Sequence, residues 1–273
     1  MSWFTDRDSF LVAVILYGGS LIYSVFLWRK GFRQDNRVNY ALLAAAMVFH
    51  TLAMFKRGFS LSRCPVNNLY EATIFIAWTI AAAYLVIGLM PRFRFVGAFA
   101  SPVLFGMGVF ALMPALDTRG TRPEFTHGLA SLHATLILLS YGAFGLSSVA
   151  GVMYLTQERN LKFHKLRAVL SLLPPIQRLD SVTGRSLTAG FILLTLGLLL
   201  SPFLLEQTYG VYFKADPKAL WSILVWLVYL ALILMRGRFA QGGRRFAWGA
   251  IGSFAFVLLT FWGFNLISTV HHP

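Results

Sequence analysis

The sequence predicts an all-α integral membrane protein of about eight transmembrane helices, with both termini outside the cytoplasm. Three observations predict it: an apolar excess, eight apolar runs of spanning length, and an uneven distribution of basic residues between the loops. Hydrophobic residues make up 57% of the chain and charged residues 12%, against roughly 25% charged in ordinary soluble domains. A soluble fold cannot hide that much apolar surface, so lipid is the solvent for most of the chain. The formal charge of +14 sits in short clusters between the apolar runs. That is the placement of loops beside anionic lipid, and it excludes nucleic acid as the partner.

The runs lie near 9–28, 38–56, 67–90, 95–115, 130–156, 187–206, 218–236 and 245–268 of a single polytopic domain, 1–273. Each is long enough, at about 1.5 Å rise per residue, to cross about 30 Å of hydrocarbon. Backbone groups in lipid must be satisfied within the segment, so these are helices. The first run, Phe10 to Trp28, lacks a basic leader and a small-x-small cleavage site before the next loop, and reads as a retained span. Two-thirds of the 24 Lys and Arg residues fall in four loops: Arg29 to Arg37, Arg92 and Arg94, Arg159 to Arg185, and Arg236 to Arg245. The bias puts those loops in the cytoplasm of a multi-pass protein of the inner, cytoplasmic membrane. The longest of them, 157–186, is basic and partly amphipathic. It reads either as a short helix on the inner leaflet or as a docking site for a cytoplasmic partner.

The one cysteine, Cys64, cannot form a disulfide framework, a C-x-x-C pair or a haem-attachment site. Of six histidines, His164 is in a cytoplasmic loop and His127 in an outer loop. His50, His133 and His271 all fall toward the outer side: within span two, at the start of span five, and beside His272 after span eight. Singly, His50 reads as a histidine bonded to a neighbouring helix, His133 as an interfacial ring, and His271 as part of a tail. Jointly they suggest a metal or cofactor. Zinc wants three or four ligands, and the outer acids Glu71, Glu124, Glu206 and Asp216 are scattered. Haem iron wants two axial imidazoles and apolar walls. Tyr209, Tyr212, Phe213, Trp221, Trp262 and Phe264 supply aromatic surface near the outer face, although an interfacial aromatic belt accounts for them as well. Glu71, at the outer start of span three, is a carboxylate at a costly depth. It is either functional or paired with Lys56, Arg57 or Arg63.

Four ordered pieces resemble the haem-handling cytochrome c assembly family that includes CcsA, ResC and HemX proteins. They are His50; Pro65-Val66-Asn67-Asn68-Leu69-Tyr70-Glu71; Leu132-His133 with Tyr141-Gly142 and Tyr154-Leu155-Thr156-Gln157-Glu158-Arg159; and the loop from Tyr209 to Trp221, before Trp226-Leu227-Val228-Tyr229. The resemblance covers roughly 40–271. It implies that the loop corresponds to the tryptophan-rich segment that presents haem outside the membrane, flanked by two ligating histidines, here His133 and His271. Gly210, Tyr212, Asp216, Pro217, Lys218 and Trp221 match that segment, with Tyr209 and Phe213 among its aromatic positions. Tyr209, Phe213 and Ala215 stand where the family usually has tryptophan, and Ala219-Leu220 replace a Glu-Thr pair. Leu234 stands where synthase members carry a histidine for haem within the membrane, which leaves His50 as the only imidazole at hand for such a site.

The resemblance therefore implies a haem-handling factor of c-type cytochrome biogenesis that holds haem at the outer face. Its implied partners are apocytochrome c and a second cytochrome c assembly membrane protein, and participation in a haem lyase stays open. The alternative is a HemX-like regulator that contacts a cytoplasmic haem-pathway enzyme through 157–186. A transporter is disfavoured, because the spans hold few buried charges and no paired broken helices.

Overall fold

The computed structural model of the chain describes residues 5–29, 36–61, 68–117, 128–163, 175–213, 216–238 and 242–267. Among them lie eight α-helices and no strand: α1 (Asp6–Arg29), α2 (Arg37–Leu61), α3 (Leu69–Gly88), α4 (Gly97–Ala111), α5 (Gly128–Phe163), α6 (Ile176–Tyr209), α7 (Pro217–Arg238) and α8 (Arg244–Ile267). Short 3-10 turns precede and follow α4. Spans within the first seven are long and apolar enough to cross a membrane. The eighth helix has 24 residues. The expected all-helical membrane fold is the one observed.

The helices form two up-and-down rings of four. In the first, α1 packs on α2, α2 on α3, α3 on α4 and α4 back on α1; in the second, α5, α6, α7 and α8 close in the same way. The rings meet where α3 packs on α5. Since lipid gives no hydrophobic drive between helices, close approach and hydrogen bonds must hold them. Small residues provide the approach. A Cβ on Gly142 would run into Thr79 Cγ2, and one on Gly145 would lie 2.6 Å from Ile80 Cδ1, at the junction of the rings. Between α5 and α6, a Cβ on Gly190 would meet the Phe144 ring at 2.6 Å and the Ser140 carbonyl at 3.0 Å.

Polar side chains provide the hydrogen bonds. Trp78 Nε1 donates to Thr51 Oγ1 (2.9 Å) and Tyr40 Oη to the Leu85 carbonyl (3.0 Å) in the first ring. Trp226 Nε1 donates to Thr195 Oγ1 (2.9 Å) and Ser147 Oγ to the Thr183 carbonyl (2.9 Å) in the second. Phe144 of α5 and Tyr229 of α7 stack across that ring with centroids 3.5 Å apart.

Helices α5 and α6 run past the expected span ends, so 157–163 and 176–186 are helical where the hydropathy pattern suggests a loop. The polar stretch Gln157-Glu158-Arg159-Asn160 marks where the chain leaves hydrocarbon, not where the helix stops. Lys162 pairs with Glu158 one turn earlier (3.4 Å) and supports that continuation.

Candidate haem-handling end

The helices alternate in direction, so one end of the molecule gathers the starts of α1, α3, α5 and α7 with the ends of α2, α4 and α6. His133, one turn and a half into α5, lies at this end, and so does the α6–α7 connection. His133 Nδ1 lies 2.8 Å from the Gly197 carbonyl of α6. A carbonyl only accepts, so Nδ1 carries the proton and Nε2 bears the lone pair of the neutral ring. Donation from one ring nitrogen to a backbone carbonyl is how ligating histidines have their tautomer and orientation fixed. Gly197 allows the approach of α5, for a Cβ there would lie 2.6 Å from Ile137 Cδ1. Pro202, inside α6, removes the N–H that would bond the Leu198 carbonyl and loosens the ladder beside this contact.

The connection is built for a tight reversal. Gly210 ends α6 in the left-handed region (φ 68°) with its N–H on the Glu206 carbonyl at 2.8 Å, a conformation that favours glycine. Asp216 precedes α7 and is buried, its carbonyl accepting the Leu220 N–H (3.0 Å), while Pro217 takes the first helical position. Between them Val211, Tyr212 and Phe213 stand exposed, the last two at 60% and 62%. Tyr212 Oη donates to Glu206 Oε1 (2.6 Å), and that carboxylate holds the phenol above its ordinary pKa. The side chain of Tyr209 lies outside what is described, as do His271, Lys214 and Ala215.

Trp221 does not join this exposed strip. It is buried, donates Nε1 to Thr260 Oγ1 of α8 (2.9 Å) and meets Tyr141 of α5 edge-on with centroids 6.3 Å apart. Its buried neighbours on α7, Val225, Tyr229 and Leu232, follow at helical spacing.

His50 and Glu71 belong to the first ring. His50 is fully buried, its Nδ1 3.0 Å from Tyr17 Oη and its ring edge-on to Phe10 at 4.9 Å; this ties α2 to α1. Glu71 is fully buried and accepts from Arg57 Nε (2.9 Å). The same guanidinium meets Asp6 (3.2 Å) and Asp117, and Arg7 meets Asp117 (3.4 Å) and the Leu112 carbonyl (2.8 Å). Asn68 completes the knot by accepting the Glu71 N–H as the cap of α3 (2.8 Å) and donating Nδ2 to Asp117 (3.1 Å). Both guanidiniums lie over the Tyr70 ring, 5.5 and 5.4 Å from its centroid. Of the three cations open to Glu71 in the sequence, Arg57 is one it pairs with.

Asp6, Asp117 and Gly197 are residues a reading of the sequence passes over, and Arg57 is named there only as one of three candidate partners of Glu71. A signal for Arg57 existed: Leu43, Ala46, His50, Ala53 and Arg57 are all buried on one stripe of α2, and their 3-4 spacing carries the inward phase of His50 onward. No such signal existed for Gly197, which acts through its carbonyl. Among the described residues no group of three His, Cys, Asp or Glu could hold a metal ion.

The chain was compared with known proteins. A family model described as "Cytochrome C assembly protein" matches residues 66–272. A protein named cytochrome c biogenesis protein CcsA from Prochlorococcus marinus (strain NATL1A) is 27% identical, over 91% of this chain and 88% of its own length. Proteins of the same name from Microcystis aeruginosa (strain NIES-843 / IAM M-2473) and Synechococcus sp. (strain RCC307) are each 27% identical, over 76% and 87% of this chain and 78% and 84% of theirs. The family match spans both His133 and the Tyr209–Trp221 segment, and the chain belongs to the cytochrome c assembly protein family.

Proposed function

We propose that this multi-pass membrane protein acts in c-type cytochrome maturation by holding haem, as cargo, at the end of the molecule that carries His133, and passing it to apocytochrome c. The observation that carries the reading is the His133 ring: Nδ1 is spent on the Gly197 carbonyl, which turns the lone pair onto Nε2 as a ligand requires. The exposed Val211-Tyr212-Phe213 strip at the same end offers an apolar surface for a porphyrin face. His271 is the proposed second ligand, on the strength of the family resemblance. The biased loop charges support an orientation with this end outside the cytoplasm, in the inner membrane.

Haem supplies vinyl groups that thiols can add to. The protein's part is to orient and retain it, so proximity is the main catalytic device. A second membrane assembly protein is the proposed companion. Purification in mild detergent, an absorption spectrum and a hemin titration test the reading. Haem bands as isolated, or saturable uptake of hemin, are expected; a protein that neither carries nor takes up haem would refute it.

One observation favours a regulatory reading beside it. Leu234, on α7 where synthase members carry an imidazole by resemblance, is a half-exposed aliphatic side chain. A HemX-like role would leave cytochromes c normal after gene deletion but change the abundance of a tetrapyrrole-pathway enzyme. Loss of cytochromes c with that enzyme unchanged would exclude it.

A further inference from the structure

The opposite, basic end holds a groove that haem handling does not use. Along α6 the exposed residues Ser181, Arg185, Thr188, Ile192, Leu196 and Leu199 recur every three or four positions and form one stripe. The stripe changes character along its length, with a hydroxyl, a guanidinium and a hydroxyl first and three aliphatic side chains after them. At its polar end a cavity of about 440 Å³ opens between α6 and α7, lined by Ser181, Gly184, Arg185, Thr188 and Arg236 and floored toward the membrane by Ile192.

The charges at the polar end are unevenly matched. Asp180 accepts from Arg236 Nη2 (2.7 Å) and from the Gly243 N–H (2.8 Å), so both its oxygens are engaged. Arg236 Nη1 is buried and has no acceptor among the described residues. Arg185 lacks an ion-pair partner among them too. Gly184 makes room for the Arg236 head, since a Cβ there would lie 2.6 Å from its Cζ. The Phe246 ring, 4.6 Å away, backs the guanidinium. Two cations against one saturated carboxylate leave net positive charge beside two hydroxyl donors, which suits a phosphate. An aliphatic track running from that point along the membrane-facing side suits an acyl chain.

We propose that this groove is a binding site for an anionic phospholipid, with the headgroup phosphate between Arg185 and Arg236 and an acyl chain along Ile192, Leu196 and Leu199. Basic pockets between helices at the basic side of a membrane protein take such headgroups. A soluble phosphate would use the polar end alone; the continuous aliphatic stripe selects the lipid.

The test uses the full-length protein in detergent, with lipid binding read by native mass spectrometry and the unfolding midpoint read alongside. Dioleoylphosphatidylglycerol is expected to bind in preference to dioleoylphosphatidylcholine and to raise the midpoint further. Glycerol 3-phosphate, which lacks the chains, is expected to do neither. Arg185→Gln, at an exposed position that the fold does not need, should weaken the phosphatidylglycerol preference about fivefold, the effect of one basic residue at a membrane surface; Arg185→Lys should restore most of it. Equal retention of the two lipids overturns the proposal. So does a preference that survives Arg185→Gln, or a midpoint shift that glycerol 3-phosphate reproduces.

Discussion

The two four-helix rings are tied at opposite ends and with different strength. In the first, Arg57 and Arg7 meet Asp6, Glu71 and Asp117 at the end that also carries His133, and the Arg57 and Asp117 side chains are no more than 8% exposed. In the second, Asp180–Arg236 and Glu158–Arg244 lie at the basic end and their side chains are 22% exposed or more. Among the described residues, the His133 end of the second ring is held by hydrogen bonds and ring contacts instead: His133 to Gly197, Tyr212 to Glu206, and Trp221 to Thr260. A buried ionic knot fixes one arrangement, because a lone charge is expensive in a low dielectric. Contacts that bury no ion pair can be exchanged at lower cost. The first ring is thus the more firmly fixed of the two, and on the proposed function the second presents the end where haem would be held and released.

The largest effect should come from breaking the buried knot. Arg57→Ala takes from buried Glu71 the guanidinium it pairs with and leaves Asp117 to the Arg7 cation, and should cost about 3–5 kcal/mol of stability, read as a fall in the unfolding midpoint in detergent. Arg236→Ala, at the half-exposed tie of the other ring, should cost only about 1 kcal/mol. Equal losses for the two would erase the contrast. Next comes packing within the second ring. Gly190→Ala sets a methyl against the Phe144 ring and the Ser140 carbonyl, and should cost about 1–3 kcal/mol. Trp221→Phe should follow at about 1 kcal/mol, losing the bond to Thr260 while keeping a ring against Tyr141; it should leave haem absorption unchanged if this indole serves packing. Phe213→Ser should leave the unfolding midpoint where it is and lower hemin affinity. That is the smallest effect on the fold and a direct reading of the exposed strip.

The spans were legible because lipid imposes a length and an apolar composition that a reader of residues can count. The ends of α5 and α6 were not, because hydropathy reports where a chain leaves hydrocarbon and helical hydrogen bonding continues beyond it. His133 was legible as an imidazole near an interface, yet its tautomer depends on the carbonyl of Gly197, 64 positions away. Trp221 reads as loop surface by its place in the tryptophan-rich pattern, although its spacing to Val225, Tyr229 and Leu232 already marked the buried face of α7. Asn68 and Glu71 show the converse: an Asn-x-x-Glu start is a cap signal in sequence, and the structure has Asn68 capping while the Glu71 carboxylate turns to Arg57.

Two histidines separate the first ring from the proposed cargo end: His50 is packed between α1 and α2, and His133 is set by α6. Absorption spectra of His50→Ala and His133→Ala, each saturated with hemin beside the unaltered protein, test the central claim most directly. The account predicts that His133→Ala loses the bands of the imidazole-ligated iron with only the small fall in unfolding midpoint that one lost hydrogen bond brings, while His50→Ala keeps the bands and melts lower by more. Bands that persist without His133 and vanish without His50 would contradict it.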